Sequence, residues 1–228
     1  MMTHRIKRIL QKPGKTPKVL VVLDTPEGPR EVVLMQTVWA LLGIGEGDWI
    51  TPEQLAEWES RNSLAACRTK SWDLLSLRPR SRAELEKALK RRFPSKDVQT
   101  VLRELEELGH LNDEQFAADY TGQLARRGAG RLLINQKLRE KGLPEPLIET
   151  TVEAQEQELP EEQRAAEVLQ RWLRLQKPPK TREDEMKLKS RAVQHLARKG
   201  FPYEAIRKAW VLADPKLELA DEDFPPLE

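Results

Sequence analysis

The chain has 228 residues, a third of them charged, few aromatics, a mean hydropathy of −0.65 and a net charge of +2. Its single cysteine, Cys67, excludes an intramolecular disulfide framework and a cysteine-based zinc site. No apolar run approaches a membrane span and no signal-peptide core follows the basic start, so a cytoplasmic protein built from small amphipathic helices is expected.

Residues 1–60 differ in kind from the rest. Met1 to Thr16 reads as loose basic chain. Lys18 to Asp24 and Arg30 to Met35 are β-branched runs separated by Thr25-Pro-Glu-Gly-Pro29, which predicts a β-hairpin over 18–35. A lone hairpin is marginal in water, so it needs support from a short helix at 37–42 and another begun by Thr51-Pro52-Glu53. Trp39, Trp49 and Trp58 are expected to supply the packing area.

From Ser60 onward the pattern is helical and repeats. Leu89-Lys-Arg-Arg-Phe-Pro94, Leu138-Arg-Glu-Lys-Gly-Leu-Pro144 and Leu196-Ala-Arg-Lys-Gly-Phe-Pro202 are three copies of one helix stop. Four residues beyond each proline stand Val98, Ile148 and Ile206, and eight beyond stand Leu102, Val152 and Trp210. The unit is a leading helix, a second helix, a stop and a Pro-started third helix. Units this small must stack to bury their apolar faces. The expected division is an extension at 1–60, repeats at 61–111, 112–158 and 159–213, and a disordered acidic tail at 214–228.

The second copy is the clearest. Asn112 and Asp113 can cap a helix whose Phe116, Tyr120 and Leu124 share one face. Gly128 and Gly130 break it, with Arg126, Arg127 and Arg131 around the break. A further helix carries Leu133, Ile134 and Leu138 inward and stops at Lys141-Gly142, where Gly142 suits the left-handed residue after a helix.

Charge is segregated along the chain. Residues 78–103 hold nine Lys/Arg against three acids, and 126–141 hold six against one. Such blocks point to a polyanion or an acidic protein face, with solvated helix surfaces as the plain alternative. The three-helix units resemble helix-turn-helix modules, yet the last helix of the second copy is acidic and would be repelled by phosphates. Sequence-specific operator binding is not expected.

Enzyme chemistry finds no footing. Pro13-Gly-Lys-Thr16 lacks the earlier glycine of a phosphate loop, and Pro17 prevents the helix that should follow. His4, His110 and His195 are far apart, with no metal-ligand spacing. His110 reads as a turn residue and His195 as part of a helix surface or seam. No catalytic residue, cofactor or metal is expected.

Arg80-Ser-Arg82-Ala-Glu84-Leu85, Gly109-His-Leu-Asn-Asp113 with Phe116 and Ala117, Arg127-Gly-Ala-Gly130 with Arg131, and Leu138-Arg-Glu-Lys-Gly-Leu143 together resemble the RecX recombination regulators of bacteria over residues 61–212. The resemblance implies a mainly α fold of three tandem three-helix repeats in an elongated, curved array, with the hairpin region an addition outside the common core. It implies binding to RecA and the RecA–DNA filament, with restraint of ATP hydrolysis, strand exchange and coprotease activity in recombination, repair and the SOS response. It also implies weak, sequence-independent binding to single- or double-stranded DNA. A monomer is expected. Two departures stand out: His110 replaces a usual aromatic residue, and the first stop lacks its glycine. The contact candidates are Arg80, Arg82, Arg126, Arg127, Arg131, Lys137 and Lys141. Rival readings are an independent, sequence-nonspecific DNA-binding tandem helix-turn-helix protein, and a purely structural helical scaffold.

Overall fold

The computed structural model describes residues 3–213, so the expected acidic tail at 214–228 lies outside the described residues. The chain divides into two compact units, one of residues through Arg80 with Glu84–Leu111, the other of Ser81–Ala83 with the residues from Asn112 onward.

In the first unit the hairpin forms as β2 (Lys18–Thr25) and β3 (Gly28–Met35), paired from Thr25↔Gly28 to Lys18↔Met35. It is part of a larger antiparallel sheet of order β3-β2-β1-β4. Strand β1 (His4–Lys12) occupies the stretch expected to be loose. Its apolar residues Ile6 and Ile9 are three apart, which breaks strand periodicity in the sequence. A bulge between Ile6 and Arg8 absorbs the extra residue and returns Ile9 to the inner face. β4 (Trp49–Ile50) pairs with the start of β1. Ile6, Val19, Val21, Leu23, Val32 and Leu34 form the sheet's share of a buried core.

That core is closed by Ile50, Leu55 and Trp58, with Trp39 of the short helix α1 (Gln36–Trp39) partly buried against it. Trp49 corrects the expectation. It pairs with Arg5 on the outer face and is 63% exposed.

Helix α2 (Pro52–Leu75) starts with a capping box between Thr51 and Gln54 and runs unbroken for 24 residues. The boundary expected at residue 60 therefore lies inside a helix, whose first half packs on the sheet and whose second half begins the first repeat. Asn62 ties the two, accepting from Met35 N–H at 2.7 Å and donating to Val33 O at 3.1 Å. Cys67 then joins Leu85 and Leu89 of α3 (Arg82–Leu89) and Val98, Val101, Leu102 and Leu105 of α4 (Ser95–Glu107) in a second core.

The second unit holds two further three-helix repeats. The first has α5 (Asp113–Arg126), α6 (Arg131–Glu140) and α7 (Glu145–Glu158). The other has α8 (Glu161–Leu173), α9 (Arg182–Arg198) and α10 (Tyr203–Ala213). Each surrounds its own apolar core. The six positions read from the proline-anchored repeat, Val98, Leu102, Ile148, Val152, Ile206 and Trp210, are all buried.

Candidate basic elbow and the repeat seam

The break after α5 is a tight, fully hydrogen-bonded turn. Gly128 N–H donates to Ala125 O and Ala129 N–H reaches back to Leu124 O, which satisfies carbonyls that the helix end would otherwise leave open. Gly128 makes this possible with φ +79°. Gly130 then precedes α6 with ordinary extended backbone, and its lack of a side chain is steric. A Cβ there would lie 2.4 Å from Phe201 N and 2.5 Å from Gly200 O, at the stop of the following repeat.

Two buried charged residues of α8 hold the same turn. Glu161 and Arg164 are each only 4% exposed. A Glu161 carboxylate oxygen accepts from Arg131 N–H at 2.6 Å, capping the start of α6, and the Arg164 guanidinium donates to Ala129 O at 3.2 Å. Burial raises the Glu161 carboxyl above its usual range, opposed by the Arg131 N–H bond and the charge of Arg164. Burial likewise lowers the Arg164 guanidinium from its ordinary value. Neither residue stood out in the sequence, where Glu161 reads as one more acid in an acidic block.

The signal was positional. Asp113, the first residue of α5, caps the start of α3 by accepting from Arg82 N–H at 2.8 Å, as Glu161 caps α6. The first residue of each later leading helix thus caps the middle helix of the repeat before it. The glycine stops obey the same rule. Gly142 lies against Ala83, where a Cβ would be 2.5 Å from Ala83 Cβ, and Gly200 lies against Leu133 at 2.4 Å. Ser81 Oγ donates to Lys141 O, and Gly130 N–H donates to Lys199 O.

On this rigid frame the expected contact residues separate. Arg126 and Arg127, at the end of α5, are exposed, and their side chains have no hydrogen bond or ion pair among the described residues. Arg131 is exposed across the elbow, with Glu156 3.8 Å away. Lys137 pairs with Glu140 at 2.8 Å, and Lys141 lies 5.3 Å from the centre of the Tyr120 ring. Arg80 is half-buried, its Nε donating to Leu74 O at 3.2 Å near the end of α2. Arg82 is half-buried and its backbone is engaged by Asp113. The elbow trio is therefore brought together, whereas Arg80 serves the first unit's own backbone.

The third repeat adds a basic feature of its own. A cleft of about 680 Å3 beside α9 is lined by Lys177, Lys180, Lys187, Ser190 and Arg191, with Asp184 the one carboxylate in its wall. Lys187 pairs with Glu183, while Lys177, Lys180 and Arg191 have no side-chain partner among the described residues.

The two histidines of the helical repeats are accounted for by packing. His110 sets its ring edge-on to Trp72 with centroids 4.7 Å apart, and His195 stacks on Trp172 at 5.6 Å. Burial, then the nearby Lys199 and Arg198 charges, lower the His195 pKa. Among the described residues no group of three His, Cys, Asp or Glu could hold a metal ion, and no helix is long and apolar enough to cross a membrane.

The three helical units match family models described as the first, second and third three-helix domains of RecX, over residues 67–105, 112–152 and 160–210. The chain is also 35% identical over 172 residues to the regulatory protein RecX of Deinococcus radiodurans, covering 75% of this chain and 74% of that one. This chain belongs to the RecX family. A regulatory RecX of Thermus thermophilus is 34% identical over 146 residues, covering 64% of this chain and 90% of the relative. A solved structure described as a RecX regulatory protein superposes with TM-score 0.59 at 23% identity over 90% of this chain and 97% of its own. RecX from Lactobacillus salivarius gives 0.57 at 20% identity over 68% and 99%. Those two likenesses concern the fold. The regulatory role follows from the family, and the segments matched by its three models contain the elbow and the cleft.

Proposed function

We propose that this protein binds the RecA–DNA filament and restrains it, lowering ATP hydrolysis, strand exchange and coprotease activity. Membership of the RecX family supports the reading at large. The observation that carries it locally is the elbow, where Arg126 and Arg127 stand exposed, without a side-chain partner among the described residues, on a turn clamped by the following repeat. A guanidinium is a bidentate donor to carboxylates and phosphates, so these residues fit both an acidic protein face and a nucleic-acid backbone. The mechanism needs no catalytic residue. A protein that engages neighbouring filament subunits favours the one arrangement it fits, by its difference in affinity between filament states.

The test is RecA's single-stranded-DNA-dependent ATP hydrolysis with the protein titrated in. Inhibition well below one molecule per RecA subunit is expected. The triple variant R126E/R127E/R131E is expected to lose inhibition while keeping its helical circular dichroism. Inhibition retained in full by that variant removes the elbow from the contact surface.

A second reading, an independent DNA-binding protein, is favoured by the cleft lined by Lys177, Lys180, Lys187 and Arg191. It predicts tight binding to bare duplex that falls steeply with salt, about 0.9 in the logarithmic slope for each phosphate neutralised. No inhibition of RecA at equimolar protein, together with such binding, would favour it.

A further inference from the structure

The N-terminal sheet lies outside the segments that match the three family models, and its two faces differ in chemistry. The inner face is the apolar core described above. The outer face is set by β1. Between Thr3 and Leu23 the chain carries six Lys/Arg and no acid. The bulge at Ile6–Arg8 keeps Ile6 and Ile9 inward, which leaves Lys7 and Arg8 as consecutive exposed cations. Register then aligns the outer rows: Trp49 beside Arg5, Arg8 beside Val22, Leu10 beside Leu20 and Val33, and Lys12 beside Lys18.

Three features of this face point to one kind of ligand. The first is charge. Lys7, Arg8, Lys12 and Lys18 have no side-chain hydrogen bond or ion pair among the described residues, and they outnumber the nearby carboxylates, Asp24 beside Arg5, Glu31 on β3 and Glu46, which accepts from Ile9 N–H at 2.7 Å. The second is an exposed aromatic. Trp49 is 63% exposed, and the Arg5 guanidinium lies 6.0 Å from the centre of its ring. The third is a low apolar row, with Leu10 and Val33 at 37% and 43% exposure. Cations spaced along a strand beside an aromatic surface are the combination that holds single-stranded nucleic acid, with phosphates on the cations and a base on the ring. A duplex keeps its base faces stacked and would leave Trp49 unused. From Arg5 to Lys12 the strand runs for about 23 Å at roughly 3.3 Å per residue. That length suits the smallest footprints of single-strand-binding sheets, about four nucleotides.

We propose that the outer face of the N-terminal sheet binds single-stranded nucleic acid without sequence preference, Arg5, Lys7, Arg8 and Lys12 following the phosphates and Trp49 stacking on a base. This goes beyond the RecA reading and does not depend on it.

The test uses the full chain and a short fluorescein-labelled oligothymidylate, with fluorescence anisotropy read across a salt series. The double variant R8E/K12E changes two exposed side chains that have no partner among the described residues. It is expected to weaken binding at least tenfold and to reduce the logarithmic salt slope by about 1.4, two phosphates at roughly 0.7 each. Trp49→Ala is expected to weaken binding about 5- to 100-fold, and Trp49→Phe to restore most of the loss, because stacking needs a π-face rather than an indole. Affinity for a duplex of the same length should change much less in the tryptophan variants. A wild-type chain that does not bind the oligonucleotide at low salt overturns the proposal. So does unchanged affinity and slope in R8E/K12E, and a neutral Trp49→Ala overturns the stacking role. Loss of RecA inhibition in these variants with oligonucleotide binding intact would assign the face to an acidic protein surface instead. Loss of oligothymidylate binding by R8E/K12E with RecA inhibition retained supports the sheet site independently of the RecA reading, which separates failure of this proposal from failure of that one.

Discussion

Three Gly→Ala substitutions separate the two reasons for a glycine in this fold. Gly109 has φ +71° and open space where a Cβ would go, so Gly109→Ala tests backbone strain alone, about 1–2 kcal/mol for a left-handed L-residue. Gly130 has ordinary backbone but meets Phe201 N at 2.4 Å, so Gly130→Ala tests overpacking alone, about 1–3 kcal/mol. Gly200 has φ +85° and meets Leu133 N at 2.4 Å, so Gly200→Ala carries both costs, about 2–5 kcal/mol. The loss of unfolded-state entropy is common to all three and leaves the ranking intact. Urea unfolding followed by helical circular dichroism reads the order. With a slope of about 2 kcal/mol per molar urea, Gly200→Ala should move the midpoint by about 1–2.5 M. Peptide-level hydrogen exchange should place the loss in α6 and α9. A wild-type midpoint for Gly130→Ala, or a Gly200→Ala no worse than Gly109→Ala, would refute the claim that the stop of one repeat is moulded on the helix start of its neighbour.

Two further outcomes follow from buried groups. Cys67 is fully buried and its thiol is pushed up to about 11, chiefly by burial. Disulfide-exchange labelling at pH 8 should therefore be slow in the native protein and fast in urea, and labelling at the rate of a free thiol would contradict the packing of the first repeat. Glu161 has a folded-state pKa above its ordinary 4.5, so the folded state binds more protons than the unfolded state between those values and stability falls as pH rises through that window. Glu161→Gln should flatten that part of the stability–pH curve while keeping an acceptor for Arg131 N–H. Glu161→Ala should cost about 1–3 kcal/mol by leaving that donor unsatisfied.

Most of the repeat architecture was legible because it rests on local signals. A glycine stop, a proline start and two apolar positions at fixed spacing recur along the chain, and each of those apolar positions is buried. The N-terminal region was less legible for physical reasons. The bulge in β1 destroys the alternation that marks a strand, and its outward cations make the stretch look like a loose basic arm. The change of pattern at residue 60 falls inside a helix, because Asn62 spends its polarity on the backbone of β3 and the helix passes straight through. Of the basic candidates, sequence could not distinguish Arg80, engaged with the carbonyl of Leu74, from Arg126 and Arg127, which nothing engages among the described residues. Glu161 and Arg164 were hidden because burial depends on a neighbouring repeat rather than on their own helix.

The departure in the first stop now has a cause. The first stop is one residue shorter than the later two, with four residues between Leu89 and Pro94 against five between Leu138 and Pro144, and the glycine is the residue it lacks. In those copies the glycine is required from outside: Ala83 and Leu133, at the start of a preceding repeat's middle helix, occupy the space that a Cβ would need. The first stop follows the N-terminal sheet and α2 rather than another repeat. Arg92 keeps ordinary backbone geometry and is exposed, with Lys90 and Arg91 exposed beside it. A terminal repeat must present a polar surface where an inner one presents a seam, since an uncovered seam would expose apolar area and invite further stacking. The glycine of the later stops therefore answers two demands at once, the left-handed turn at φ +74° and +85° and the close approach of the preceding helix start.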